Sequence, residues 1–337
     1  MATMTTAATV AARTSEKESL SSIIARISPE DVPVMSNMKK ASKGAVLFDF
    51  QVEELAAAGA NAQAEGAAIG ASDAVNTDTI RLQNQHQIAW KAYSVSDTQD
   101  AVDHAGFERQ SARQALLKGL ELRRDIEFAL TNDQTKSTSG NRKAGTLSSF
   151  IANASVGASA TAVGGSGFAA NGTNFPAGLS SGSPNYGTAR AISVALVESA
   201  MQDAYTEGGM SGGGIMVVSP VQKKKFSDAT IANYGTGTIT NQYNQTTPTA
   251  PTAIGSVSAY LTDFGTIQTV ISRQMPTERA YLLDPEYAEY TTLNGRDMVK
   301  EEVGKSGDAT TGYVLSEFSL AVTAPKAHAA IFALSTS

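Results

Sequence analysis

Alternation of apolar and polar residues dominates the first third of the chain. Val46, Phe48, Phe50 and Val52 fall on one side, with Asp49, Gln51 and Glu53 on the other, the period-two pattern of a half-buried strand. A second run repeats it, with Ile80, Leu82, Ile88, Trp90 and Ala92 on one side and Arg81, Gln83, Gln85, Gln87 and Lys91 on the other. Residues 54–78, between the runs, are rich in Ala and Gly and carry too little apolar bulk for a core. The pattern predicts a protruding hairpin whose strands of roughly 9 to 14 residues reach about 30 to 45 Å, with the Ala/Gly tract at its tip. A lone two-stranded hairpin is marginal in water, so such an arm needs a surface to lie on, most naturally a neighbouring subunit. After Trp90 the alternation slips phase to Tyr93 and Val95, as a bulge or bend at the arm's base would make it do.

The period then changes. Ala112, Leu116, Leu120, Ile126 and Leu130 recur near helical spacing, with Arg123 and Glu127 placed for an i,i+4 pair. A helix over residues 107–130 is about 36 Å long, enough for a spine. Upstream, residues 1–14 are small and polar and read as a mobile arm. Ser15 and Glu18 form a capping box ahead of Leu20, Ile23, Ile24 and Ile27, and Pro29 and Pro33 mark an extended turn into Val34 and Met35. Downstream, the Gly/Ser/Ala/Asn tract 153–187 reads as a surface loop. Helices follow over 188–205, ended by Gly208 and Gly209, and over 221–234. Strands are expected over 215–219, 264–273, 281–284 and 313–323, and residues 327–334 close the chain. Helices and strands are interspersed without a βαβ rhythm, so the expected class is α+β.

Composition narrows the function. Only 17% of the 337 residues are charged, which leaves much of the surface to Ser, Thr, Asn, Gln, Ala and Gly and suits a surface meant to pack. The formal charge is −6 and the densest basic cluster is Lys223, Lys224 and Lys225, which disfavours nucleic-acid binding as the main task. A container for nucleic acid needs no basic wall. The absence of cysteine removes disulfides, thiolate metal sites and Cys nucleophiles together. Neither a signal peptide nor a membrane-length apolar run is visible, and a soluble protein made in a reducing cytosol is expected.

Candidate chemistry is thin. Gly209-Met210-Ser211-Gly212-Gly213 matches the nucleophile-elbow pattern, but a helix precedes it and a strand follows, the reverse of what that elbow needs. Gly304-Lys305-Ser306 imitates the end of a phosphate loop, yet Val299 stands where the motif requires glycine. His86, His104 and His328 have no metal-ligand spacing, and Asp100, Asp103 and His104 are better explained by helix capping and solvation. Trp90, the one tryptophan, fits equally a core anchor or a contact with a neighbouring subunit.

The stretches ISPEDVPVMSNM, RLQNQHQIAWKAYSVSDTQDAVDHAG and LRRDIEFALTND, followed by GGGIMVVSPVQKKKFS, FGTIQTVISRQM, YLLDPEY and KSGDATTGYVLSEFSLAVTAPKAHAAIFAL, resemble phage major capsid proteins of the SU10-like group. The resemblance spans most of residues 20–335. It implies the HK97 fold, with an N-terminal arm and short helix over 1–40, an E-loop hairpin over 41–97, a peripheral domain with its spine helix over 98–187 and 302–337, and an axial domain over 188–301. It implies subunits that form pentamers and hexamers and close an icosahedral shell around double-stranded DNA without sequence-specific contacts, with no catalysis, cofactor or membrane. The shell is expected in the virion, assembled in the host bacterial cytoplasm. A scaffolding protein, because no scaffold-like domain precedes the arm, a portal and a cement protein are the further partners it implies. Some members of the wider fold cross-link an E-loop Lys to an Asn of a neighbour; this chain has no Lys from Gly44 through Trp90, so no such link is expected. Glu65 and Arg81, charges on a bland arm, join Trp90 as candidate interface residues. Two other readings are an encapsulin-type compartment on the same fold and a hydrolase built on Ser211.

Overall fold

The computed structural model describes residues 31–53, 55–56, 58–70, 79–102, 107–138, 140–160, 186–234, 259–305 and 307–336, with backbone alone for 231–234. The expected arm over 1–14, the capping-box helix after Ser15 and the turn residue Pro29 lie outside the described residues, as do Asp103 and His104. In chain order the elements begin with α1 (Pro33–Asn37), β1 (Lys39–Lys43), β2 (Leu47–Glu53), β3 (Thr79–Gln85), β4 (Gln87–Ser96), α2 (Asp97–Ala101) and α3 (Gln110–Thr131). They continue with α4 (Leu147–Phe150), β5 (Asn153–Ser155), α5 (Val194–Thr206), β6 (Gly214–Val218) and α6 (Pro220–Tyr234). The last third is strand-rich: β7 (Ala259–Thr262), β8 (Gly265–Ile271), β9 (Ala280–Leu283), β10 (Ala288–Leu293), β11 (Val299–Val303), β12 (Ala309–Val322) and β13 (Ala329–Ile331). The class is α+β.

Two sheets share the long helix α3. The six-stranded sheet runs β5-β13-β9-β6-β8-β7, and the five-stranded sheet runs β1-β10-β12-β11 with β4 also paired to β12. The central strands β6, β9 and β13 are buried on both faces, which is why they read as unbroken apolar runs, whereas β5, β7 and β8 are partly exposed. Ile215, Val217, Tyr281 and Leu283 point into one core with Leu122, Ile126 and Leu130 of α3, Val314 and Phe318 of β12, and Phe150. Met216, Val218, Ala280, Leu282 and Ile331 point the other way, into a second core with Val197, Met201 and Ala204 of α5 and Phe226 of α6. Ser193 caps α5 by accepting from Leu196 N–H, and Gly208 at φ +86° ends it as the sequence indicates.

Several expectations change on contact with tertiary structure. Pro33 opens α1, because proline suits a first helical position, so the expected turn ends by Val32, and Val34 and Met35, to which it leads, are helical. Leu116 is exposed, and α3 turns Leu122, Ile126, Leu130 and Glu127 inward. Glu127 forms no pair with Arg123: it is fully buried and accepts hydrogen bonds from Val34 N–H, Met35 N–H and the Ser272 hydroxyl. The tract from 153 begins as a strand, since β5 pairs parallel to β13. Sheet pairing also crosses the expected boundaries at 188 and 301. β10 and β11 pair with β12 in the five-stranded sheet, whereas β13 leaves β12 behind and pairs with β9.

The hairpin is shorter than its pattern suggests. β2 and β3 pair over seven residues, from Leu47↔Gln85 to Glu53↔Thr79. At His86 the chain changes partner, and β4 runs along β12 from Gln87↔Phe318 to Ser96↔Ala309. Asn84 marks the switch. Its buried Oδ1 accepts from Gln85 N–H and Gly145 N–H, and its Nδ2 donates to the carbonyls of Leu320 and Gly145, so the end of β3 is tied to the 145 loop and to β12 while its ladder with β2 runs on to Gln85. The phase therefore slips at residues 84–86, not after Trp90. Leu82 is buried before the break and Tyr93 and Val95 after it, while Ile88 and Trp90 turn to the open face. The arm's base lies on its own subunit, where Phe48 meets the His86 ring at 5.0 Å and Phe50 meets Phe150 at 5.8 Å.

Candidate assembly interface

Around β4 the five-stranded sheet has one face covered by α3 and the other open, while the same side of β12 is buried from Leu315 onward. Lys91 of β4 pairs with Asp125 of α3 at 2.6 Å, which puts the odd residues of β4 against the helix and the even ones outside. Register then places Trp90 beside Leu315, Ala92 beside Tyr313 and Ile88 beside Glu317 on the open side. Trp90 is 60% exposed and meets Tyr313 edge-on at 6.3 Å. Ile88, Trp90, Tyr313, Leu315 and Arg296 enclose a depression of about 280 Å³. The Tyr313 hydroxyl donates to Glu301 of β11.

Two arginines meet one carboxylate at the edge of that depression. Glu317 is nearly fully buried, with Oε1 2.9 Å from Arg142 Nη2 and Oε2 2.9 Å from Arg296 Nε. Both arginine side chains stay partly exposed, Arg296 at 43%. An apolar floor with a guanidinium on its wall suits an aliphatic side chain next to a carboxylate.

The arm tip supplies the other exposed apolar groups. Every described residue from 58 to 70 is exposed, and Leu55 and Ile69 are 85% and 89% exposed. Ala67 N–H donates to the Ala64 carbonyl at 3.0 Å, which closes a turn around Glu65 and Gly66. Gly66 sits at φ +82°, the backbone such a turn needs at its third position. Glu65 is thus held outward at a corner.

The three candidates from sequence are spread along the chain and not gathered. Arg81 pairs with Asp49 across its own hairpin and keeps 60% of its side chain exposed. Trp90 belongs to β4 in the body of the subunit, because the strand changes partner at His86 before reaching it. Sequence reasoning missed Tyr313, Leu315, Arg142 and Arg296; the alternation of β12 pairs the first two with Trp90 only once its register on β4 is known.

Other motifs resolve into structure. Ser211 is exposed in the turn between α5 and β6, next to Met210 at φ +58°, whose N–H donates to Asp284 Oδ2. Lys305 pairs with Asp97. Asp100 accepts from Ser111 N–H at 2.9 Å and so caps the start of α3 from outside. His328 is buried and its Nδ1 accepts from Asp284 N–H, which leaves the proton of the neutral ring on Nε2; burial holds its pKa down at about 4. Among the described residues no three His, Asp or Glu side chains gather as a metal site, and no helix is long and apolar enough to cross a membrane.

The family model for the SU10 major capsid protein matches residues 2–335. The chain belongs to that family. As a major capsid protein it is a subunit of a phage head shell, built from many copies and carried in the virion. The major capsid protein of Escherichia phage Phieco32 is 34% identical over 122 residues, 36% of this chain and 34% of that protein, so the match spans about a third of its length. Among solved structures, the capsid asymmetric unit of cyanophage A-1(L) superposes with a TM-score of 0.66 at 11% identity, covering 95% of this chain and 97% of that one. The holo-SrpI encapsulin complex from Synechococcus elongatus PCC 7942 gives a TM-score of 0.58 at 12% identity, covering 98% and 97%. These likenesses show the HK97 fold.

Proposed function

We propose that this capsid subunit assembles into pentamers and hexamers that close an icosahedral shell around double-stranded DNA, and that the hairpin arm fastens each subunit to the next. One observation carries the reading: the described arm tip, residues 58–70, is exposed throughout on an arm whose base alone rests on its own subunit. A two-stranded arm of that kind is stable only when something else covers it. Residues 41–97 act as the E-loop, 98–187 and 302–337 as a peripheral unit around α3, and 188–301 as an axial unit that meets its copies around the ring centre. Heterologous contacts that close on rotation build such rings. Glu65, Arg81 and Trp90 lie at subunit contacts. Scaffolding, portal and cement proteins are the further partners, assembly takes place in the host bacterial cytoplasm, and the subunit acts without catalysis.

The test is expression of the full chain, followed by size-exclusion chromatography and negative-stain electron microscopy. Shells, or rings of five or six, are expected. A chain that stays monomeric, even with a scaffolding protein, sinks the reading. Nucleic acid inside purified particles, and no enclosed enzyme, separates it from an encapsulin-type compartment.

A further inference from the structure

We propose that the depression bordered by Trp90, Tyr313 and Arg296 seats the arm tip of a second copy of this chain, with Ile69 on its apolar floor and the Glu65 carboxylate against Arg296. The proposal rests on the shell reading and names the surface that reading leaves open.

The depression is built like a receptor for one particular kind of segment. Its floor is aromatic and aliphatic, with Trp90 and Ile88 turned to solvent by the register of β4 on β12. No described residue of the same chain covers it. Its wall is Arg296, which meets Glu317 through Nε and so leaves the Nη edge of its fork for a second acceptor. Arg142 adds a second guanidinium to the same carboxylate. Glu301, the acid across this face, is already engaged by the Tyr313 hydroxyl.

The tip has the matching chemistry. Residues 55–70 contain a single charged side chain, Glu65, and two large apolar ones, Leu55 and Ile69, both almost wholly exposed. The Ala64–Ala67 turn pushes Glu65 outward, and Ile69 follows four residues later. The small residues around them let a backbone approach an aromatic surface closely.

The subunit's own tip is badly placed to fill the site. Seven paired residues carry it about 20 Å from the hairpin base at His86. β4 continues past that base and takes Trp90 with it. A second copy therefore provides the occupant.

The absence of cysteine makes the contact directly testable. Ala68→Cys and Ala92→Cys place one thiol beside Ile69 and one beside Trp90, both at exposed alanines. Particles of the double variant, treated with a short bis-maleimide and run on a denaturing gel, should show a ladder of linked subunits that neither single variant gives. Particles that form normally yet yield no ladder overturn this seat and leave the shell reading standing. A wild-type chain that forms no particles or rings removes the shell reading and this one with it. Trp90→Ala gives a second measure that needs no linker. Its side chain is mostly outside the core, so the subunit folds, and the concentration for half-maximal assembly should rise by roughly 10-fold, the effect of losing an interfacial tryptophan. An unchanged concentration overturns the proposal.

Discussion

Replacing Glu127 separates the two things this side chain does in the core, accepting hydrogen bonds and carrying charge. α1 starts on Pro33 and has apolar Val32 at its cap, so it brings no side-chain acceptor for its first amides. Glu127 supplies one from α3. Oε1 accepts from Val34 N–H at 2.9 Å and from the Ser272 hydroxyl at 2.9 Å, and Oε2 accepts from Met35 N–H at 3.0 Å. Glu127→Ala strands two amides and a hydroxyl in a dry site. At about 1 to 3 kcal/mol for each buried group left unpaired, with the hydroxyl free to rotate elsewhere, the expected loss is about 3 to 5 kcal/mol. Glu127→Gln keeps the shape and one acceptor oxygen but turns its NH₂ toward a donor, which forfeits about 1 to 2 kcal/mol. It also sheds the cost of burying a charge, so its net loss should be about 1 kcal/mol or less.

The assay is denaturant unfolding of the disassembled subunit together with amide exchange at Val34 and Met35. In the alanine variant those two amides should lose protection by roughly 100-fold, the exchange equivalent of about 3 kcal/mol. Equal damage from Gln and Ala, or undiminished protection in Glu127→Ala, would refute the reasoning. The pH dependence gives a further check. Burial raises the carboxyl pKa above its ordinary 4.5, and the hydrogen bonds from Met35, Val34 and Ser272 pull it only part of the way back. Between 4.5 and the raised value the folded chain holds more protons than the unfolded one, so stability falls as pH rises through that window. Glu127→Gln has no group titrating there, and the wild type's advantage over it should shrink as pH rises.

Other perturbations follow from the same cores. His328 is held by burial at about 4 against an ordinary 6.5, so the unfolded chain takes up the proton first on acidification. Stability should therefore fall between pH 6.5 and 4 by up to about 3 kcal/mol, and unfolding of His328→Gln across that range should show a flatter slope. Arg279 holds Asp133 with a two-pronged pair at 2.5 and 2.9 Å; Arg279→Ala should cost about 3 to 5 kcal/mol, and Arg279→Lys should recover only part of it in a thermal melt. A methyl group on Gly209 would strike the Ala327 carbonyl, so Gly209→Ala should cost at least about 1 to 3 kcal/mol, and an unchanged melt would count against the packing described. Mature particles boiled in detergent should give a single monomer band, because residues 44–90 offer no lysine for a covalent link; a ladder from untreated particles would contradict this.

Period and punctuation carried most of the fold in the sequence. The hairpin, α3, α5, α6 and the buried runs of β6 and β9 are each specified by their own residues, so local pattern was enough. What the pattern could not carry is where a strand changes partners. Residues 80–92 read as one arm strand because Ile80, Leu82, Ile88 and Trp90 keep the same parity, yet Asn84 binds the loop at Gly145 and the end of β12, and the run breaks just beyond it. Nothing near Asn84 in sequence announces partners 61 and 236 residues away. The same holds for Glu127, which looks like half of a surface pair with Arg123 and is in fact the acceptor for a helix 93 residues earlier.

The interface was only partly legible for a related reason. A shell subunit keeps part of its apolar surface for other copies, so residues that look like core by periodicity are split between its own interior and its neighbours. Tyr93 and Trp90 illustrate the split, three positions apart on β4 with opposite fates, one 6% and the other 60% exposed. Parity alone assigns them to opposite faces without saying which face α3 covers. The deciding fact is the Lys91–Asp125 pair, since it marks the helix as lying on the Tyr93 side and leaves Trp90, Tyr313 and Ile88 for a partner. A polar contact on the covered face thus identifies which apolar residues remain available for assembly, while Leu122, Ile126 and Leu130 hold the helix there.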